Sequence, residues 1–350
     1  MYEFSDLKII HHLDRLWAIC RGELSPPVTV EIELTNACNH RCIFCLDQSY
    51  NAIINATLKE APLVNLAAEI AGQGVESVIF TGGGEPLLYY SFSKIVQHFR
   101  TKGLHIGLIT NGEAIDRHLE AIPHLSWVQV SLDAASVEIH QKLHNPFKNN
   151  IFQTIVDNLY QISTSVFTGI SYVLHPDNFR QMPAAIRLAR EVGCRFIAFR
   201  RVDGLPQAQS FTPAMLMELR ELMAGINWRQ EANFQILAPR LDHFAPGYRP
   251  LPYSPCLAHH LIGILSSDGN FYPCRTLRGD ADYAYGSIYR DSFQNIWYGE
   301  KRKAVLEKIA RGDCSARCLG HTFYLRYDHY NHWLEYLSRG RDRVGHVEFL

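Results

Sequence analysis

The chain has 350 residues, long for one domain and natural for a large domain plus a smaller one. Its 34 Lys and Arg against 35 Asp and Glu leave a net charge of -1 with no long single-sign run, so no field able to gather nucleic acid or an anionic membrane is expected. The amino-terminal stretch is interrupted by charge or histidine every few residues, unlike a signal peptide, and no apolar run approaches the roughly 18 residues of a membrane span. A cytoplasmic protein is expected, in which clustered cysteines serve metals more often than disulfides.

In chain order, residues 1–27 read as a helical extension. From 28 to about 201, short apolar runs alternate with amphipathic segments, the pattern of repeated βα units and a parallel sheet. Strands are predicted at 28–34, 76–80, 105–110, 127–132, 169–175 and 195–201, with helices near 60–73, 91–102, 114–121, 150–162 and 179–191. Six strands fit a partial (β/α)6 TIM-like barrel, an α/β fold, over residues 28–205. A helix near 213–224 and a Pro-rich stretch make 206–240 a linker or bridging segment. Residues 241–335 read as a small cysteine-bearing domain that opens with a hairpin turning at Asp268-Gly269, and 336–350 as a tail.

The chemistry is concentrated in "TNACNHRCIFC", residues 35–45, where Cys38, Cys42 and Cys45 are spaced by three and then two residues. Three thiolates in so short a loop can hold one metal site while leaving a coordination position open. A closed zinc site with His40 as fourth ligand is the alternative. The loop follows the first strand, so it lies at the carboxyl-terminal face where such barrels build their sites. The next loop on that face is "TGGGEP", residues 81–86, whose glycines permit close backbone approach to a ligand and whose Glu85 offers an acceptor suited to an ammonium group.

"CNHRCIFC", with Phe44 before its last cysteine, and "GGEP" together resemble the radical S-adenosylmethionine (SAM) superfamily. The resemblance spans roughly residues 28–201. It implies that Cys38, Cys42 and Cys45 bind a 4Fe-4S cluster whose fourth iron is chelated by SAM, and that Gly83, Gly84 and Glu85 hold the SAM amino group. Ser131, and more weakly Asp133, in "VQVSLDA" match the family's ribose and carboxylate contacts. Asn111 in "ITNG" matches another recurrent position, although an Asn-Gly turn explains it equally well. The implied activity is one-electron cleavage of SAM to a 5'-deoxyadenosyl radical, with the protein orienting the substrate and excluding water. A flavodoxin- or ferredoxin-type electron donor is implied with it.

Cys256 and Cys274, with seventeen residues between them, and Cys314 and Cys318, with three between them, form a second set. It resembles the shortened SPASM domain called Twitch, which implies one auxiliary 4Fe-4S cluster; a zinc knuckle is the alternative. The Cys314–Cys318 spacing departs from the commoner two-residue gap. Cys20 and Cys194 read as small buried hydrophobes. Arg200 and Arg201 end the sixth strand, where they could position a substrate anion or assist deprotonation, with an ion pair to Asp203 as the plainer reading. His175 ends the fifth strand as a structural or ligand-facing residue, and the histidine-rich tail at 321–333 fits a packed amphipathic helix.

The leading expectation is oxidation or bond formation on a small polar metabolite such as a sugar, cyclitol or antibiotic precursor. Modification of a ribosomally made peptide or a protein side chain is the alternative, ranked second because only 27 residues precede the first strand. A non-catalytic iron-sulfur or zinc protein is the reading from another class.

Overall fold

The computed structural model describes residues 6–47, 55–201, 210–228, 231–239, 255–314 and, from 330 to 337, all but 332 and 336. Cys318, Asp203, the Pro-rich stretch over 240–254 and most of the histidine-rich tail lie outside the described residues.

Six parallel strands in consecutive order make the wall of the fold: β1 (Thr29–Glu33), β2 (Ser77–Thr81), β3 (His105–Thr110), β4 (Trp127–Ser131), β5 (Phe167–Leu174) and β6 (Phe196–Arg201). Their bounds lie within two residues of those expected from the apolar runs. The helices are α1 (Leu13–Cys20), α2 (Glu60–Gly72), α3 (Phe92–Thr101), α4 (Val137–His144), α5 (Ile151–Ile162), α6 (Met182–Glu191), α7 (Pro213–Ala224), α8 (Phe293–Tyr298) and α9 (Glu300–Ala310). Side chains alternate across each strand. Val30, Ile32, Val78, Phe80, Val128 and Val130 join the core beneath the helices, while Glu31, Glu33, Gln129, Ser131 and Ser171 occupy the opposite, lumenal face.

Three features depart from the expectation. The helix expected over 114–121 is a pair of short 3-10 turns, Ile115–His118 and Ile122–His124, because Gly112 adopts φ 84° before it and Pro123 interrupts the ladder behind it. Helix α4 was hidden because two of the three residues it buries, His140 and His144, are polar in any hydrophobic pattern. It is nevertheless well bounded: the Ser136 side chain caps its start and Asn145, at φ 40°, ends it in the left-handed region. Third, a three-residue strand β7 (Gln235–Leu237) inside the supposed linker pairs parallel with β6. Its length is too short to show periodicity.

The expected hairpin is present as β8 (Ile262–Leu265) and β9 (Asn270–Tyr272), with Gly269 at φ 83° in the turn. Its placement was not legible. β8 pairs parallel with β1, Thr29 opposite Ile262, and β9 then pairs with β10 (Gly286–Ser287), so a single ten-stranded sheet runs from β10 to β7. The cysteine-bearing segment therefore continues the barrel sheet.

Side-chain bonds reinforce that junction. Arg278 pairs with both Glu33 of β1 and Asp47, and Arg275 reaches Asp47 at 2.5 Å and the Gly82 carbonyl at 2.7 Å. The Arg278 and Glu33 side chains are only 2% and 1% exposed. Burial pushes the Glu33 carboxyl upward while Arg278 and Arg275 pull it down. Breaking a buried pair from one side strands the other charge. Arg278→Met is therefore expected to cost about 3–5 kcal/mol in anaerobic urea unfolding, with Glu33→Gln in the same chain recovering part of the loss. A cost within about 0.5 kcal/mol, the range of ordinary surface substitutions, would show that the pair is dispensable.

Candidate active site

The cysteine loop leaves β1 and is braced from three sides. Its Thr35 hydroxyl bonds Thr57 at 2.7 Å, the Cys45 amide closes a turn onto the Cys42 carbonyl at 3.1 Å, and the Ile43 amide bonds the Leu143 carbonyl of α4 at 2.9 Å. The three cysteines are half-buried. Burial, then the nearby Glu85, Cys42 and Cys45, push the Cys38 thiol up to about 12 against a lowering backbone bond from His40. Three thiols in mutual electrostatic reach suit a soft metal centre, and loading it would release the Cys38 proton.

The glycine loop lies directly on the cysteine loop. Gly84 donates its amide to Thr35 O at 3.0 Å, and Glu85 donates to Ala37 O at 2.8 Å. A Cβ on Gly84 would stand 2.1 Å from the Ala37 carbonyl oxygen, so only glycine allows this approach. Gly83 is buried beside it.

Glu85 was expected to present its carboxylate to a ligand, but that group is turned into the protein. It accepts from the Leu87 amide at 3.0 Å, the Thr110 hydroxyl at 2.5 Å and the Asn111 amide at 2.7 Å. Burial raises it to about 7 against those three bonds. The Asn111 side chain is likewise engaged, donating to Asn39 Oδ1 at 2.7 Å and accepting from the Glu113 amide at 3.0 Å. It forms the Asn-Gly turn and, through its side chain, also holds the cysteine loop.

Ser131 ends β4, half-buried on the lumenal face. Asp133, at φ 54°, is 1% exposed; its carboxylate accepts from the Val173 amide at 2.5 Å and pairs with His144 at 3.0 Å. Both oxygens are thus spent on the protein, which departs from the expected contact with SAM. The two arginines separate. Arg200 shares the lumenal face with Ala198 and reaches Gln129 Oε1 at 3.4 Å. Arg200 is the exposed residue of the strand, so the loss of solvation that lowers its pKa, and that Asp133 opposes, comes from the walls around a side chain still open to water. Arg201, opposite Leu174, falls on the helix-facing side by alternation, so its expected place at the site is corrected.

Of the second set, Cys256 and Cys274 lie within electrostatic reach of the buried Tyr285 hydroxyl, and Cys314 packs on the same core. Cys256 accepts from Asn331 at 3.3 Å and Cys274 bonds the Thr276 hydroxyl at 3.1 Å. Cys194 is buried in the barrel core, and Cys20 contacts the Leu334 carbonyl. His175 is 3% exposed, with Nδ1 accepting from the Asp177 amide at 3.1 Å.

Sequence reading missed a buried histidine group behind the cysteine loop. His40, His140 and His144 bring one ring nitrogen each within 4.8 Å of one another. His40 pairs with Glu113 at 3.2 Å, and the His140 and His144 rings stack at 4.6 Å. Burial depresses His40 to about 3 and His140 to about 2. Burial also opposes charge on His144, but Cys42 and Asp133 outweigh it and lift the ring to about 10. The four-residue spacing of His140 and His144 was the available signal, since it sets both on one helical face.

Residues 32–189 match the Radical SAM superfamily, and residues 256–319 match SPASM, an iron-sulfur cluster-binding domain. The chain thus carries a Radical SAM domain followed by a C-terminal SPASM domain, the domain arrangement of a radical SAM enzyme. It uses SAM with a 4Fe-4S cluster, and its C-terminal domain adds auxiliary iron-sulfur binding. Among relatives, the PqqA peptide cyclase of Xanthomonas euvesicatoria is 28% identical over 287 residues, covering 78% of this chain and 74% of the cyclase. Streptococcus suis SuiB bound to its precursor peptide SuiA shares the fold with a TM-score of 0.63 at 15% identity, over 87% of this chain and 72% of SuiB. Native anSMEcpe with bound AdoMet and a Kp18Cys peptide matches with a TM-score of 0.59 at 16% identity, over 90% of this chain and 99% of that one. Among the described residues no helix is long and apolar enough to cross a membrane.

The contact between the two loops yields a direct test. Gly84→Ala is expected to push the glycine loop off Ala37 and lower reductive SAM cleavage by about 10²-fold, the scale of an ångström misplacement. Retained cleavage, with iron content unchanged, would remove Gly84 from the site.

Proposed function

We propose that the enzyme modifies a peptide, by oxidation or bond formation at an unactivated carbon. The observation that carries this reading is the similarity to PqqA peptide cyclase, which covers 78% of this chain and so extends beyond the barrel alone. The small polar metabolite ranked first from sequence becomes the second reading, supported by the polar lumenal face of Gln129, Ser131 and Arg200.

Cys38, Cys42 and Cys45 hold the SAM-site cluster in this proposal, and Cys256, Cys274, Cys314 and Cys318 the auxiliary one. When bound, the cluster and SAM supply a carbon-centred radical able to abstract hydrogen from carbon. Gly83 and Gly84, with the Glu85 backbone, line the SAM amino group, and Ser131 meets its ribose or carboxylate. Arg200, steadied by Gln129, binds a carbonyl or carboxylate of the substrate from the lumen. Asp133, Asn111 and the Glu85 carboxylate act one step back, holding the loops in place. The reductant is proposed to be a flavodoxin- or ferredoxin-type protein, and the compartment the cytoplasm.

Anaerobic reconstitution is expected to load about eight irons per chain, two cubane clusters, and SAM cleavage to 5'-deoxyadenosine should vanish in the Cys38, Cys42, Cys45 triple alanine variant. Incubation with candidate peptides encoded near the enzyme's own gene should lower a peptide's mass by two hydrogen atoms if a ring closes. Cleavage coupled only to small metabolites would sink the peptide reading, and zinc without cleavage would sink the radical one.

A further inference from the structure

Behind Cys42 lies a chain of buried groups. Asp133 Oδ2 stands 3.0 Å from His144 Nε2, and His144 Nδ1 stands 3.5 Å from Cys42 Sγ and 3.4 Å from His40 Nδ1. The His40 ring turns its other nitrogen to Glu113 at 3.2 Å. These partners assign the hydrogens. Asp133 accepts, so His144 Nε2 carries a hydrogen; Glu113 accepts, so His40 Nε2 carries one and His40 Nδ1 presents a lone pair. Where Cys42 ligates a cluster its sulfur has no hydrogen to give, so a lone pair on His144 Nδ1 would face the His40 lone pair at 3.4 Å and the ligated sulfur at 3.5 Å, and His144 Nδ1 is the donor between them.

The geometry is costly and over-determined. Asp133 sits in the left-handed region at φ 54°, which a non-glycine residue adopts only when its surroundings hold it. The Val173 amide fixes its Oδ1, and Asn178 fixes its carbonyl at 2.8 Å while also binding the Val173 carbonyl at 2.8 Å. Asp133 is thereby aimed at His144, whose ring is stacked on His140 with planes 12° apart. His140 Nε2 has no hydrogen-bond partner among the described residues, so its ring serves as a wall.

We propose that His144, oriented by Asp133, donates its Nδ1 hydrogen to Cys42 Sγ and so raises the reduction potential of the SAM-site cluster. The inference rests on the reading that Cys42 ligates that cluster. Its physics is that hydrogen bonds to cluster sulfur stabilise the more negative, reduced state, and that partners of a ligand, oriented by a carboxylate, tune the metal. His144 is a positioning residue in this scheme, acting on the cluster through Cys42.

The test is an EPR-monitored reductive titration of the reconstituted holoenzyme, following the signal that shifts when SAM is added. His144→Phe keeps the stack on His140 and removes the donor. It should make reduction about tenfold less favourable, a fall of about 59 mV for one electron. His144→Asn, whose amide nitrogen falls near the position of Nδ1, should restore much of the potential, and His140→Phe should leave it unchanged. Histidine labelled with ¹⁵N in the otherwise unaltered enzyme should show a nitrogen coupling to the reduced cluster, which decides the matter even if His144→Phe fails to hold iron. An unchanged potential in His144→Phe, an equal fall in His140→Phe, or no nitrogen coupling would overturn the proposal while leaving the radical SAM reading intact. One equivalent of zinc held by the three histidines would overturn it too. Failure of the intact cysteine triplet to load any cluster would overturn both.

Discussion

The molecule turns on one buried ion cluster. Glu33 of β1 and Asp47 at the end of the cysteine loop face Arg278 and Arg275, four positions and one position after Cys274 in the chain, and Arg275 also holds the Gly82 carbonyl. Four parts of the site meet there: the first strand, the cysteine loop, the glycine loop and the segment of the second cysteine set. Glu33 and Arg278 are buried and depend on the cluster for solvation, while Asp47 and Arg275 keep partial access to water. The same contacts set the two cysteine sets in a fixed relation. Ser266 and Ser267 strengthen it from the hairpin, bonding Glu33 and Asn36.

Around that anchor the loops support one another with backbone and carboxylate bonds. The glycine loop touches the cysteine loop through two amides, which is possible because Gly84 has no side chain. Glu85 then gathers three donors from its own turn and from the end of β3, and Asn111 carries the connection back to Asn39. A carboxylate that looks like a ligand in sequence is here the mortar between loops. Asp133 has the same character on the other side of the site, tying β5 to α4 and to the histidine behind Cys42.

Strand alternation decides what the substrate meets. Arg200 enters the lumen beside Gln129, while its neighbour Arg201 falls on the helix-facing side, so adjacent arginines that look equivalent occupy separate places. The lumenal face is polar where the helix-facing residues are apolar.

Much was already settled by the linear chain. Six strands, most helices, the cysteine and glycine loops at one face and the Asp268-Gly269 hairpin follow from period, spacing and turn chemistry, all local properties. So does the resemblance to the radical SAM superfamily, because its motifs are short and contiguous. What tertiary structure decided are the relations between distant residues. The parallel pairing of β8 with β1, the ion cluster joining Glu33 to Arg278, and the approach of His144 to Cys42 across 102 positions leave no local trace. Helix α4 escaped notice for the same reason: its buried His144 is compensated by Asp133 and Cys42, partners that only the fold brings within reach.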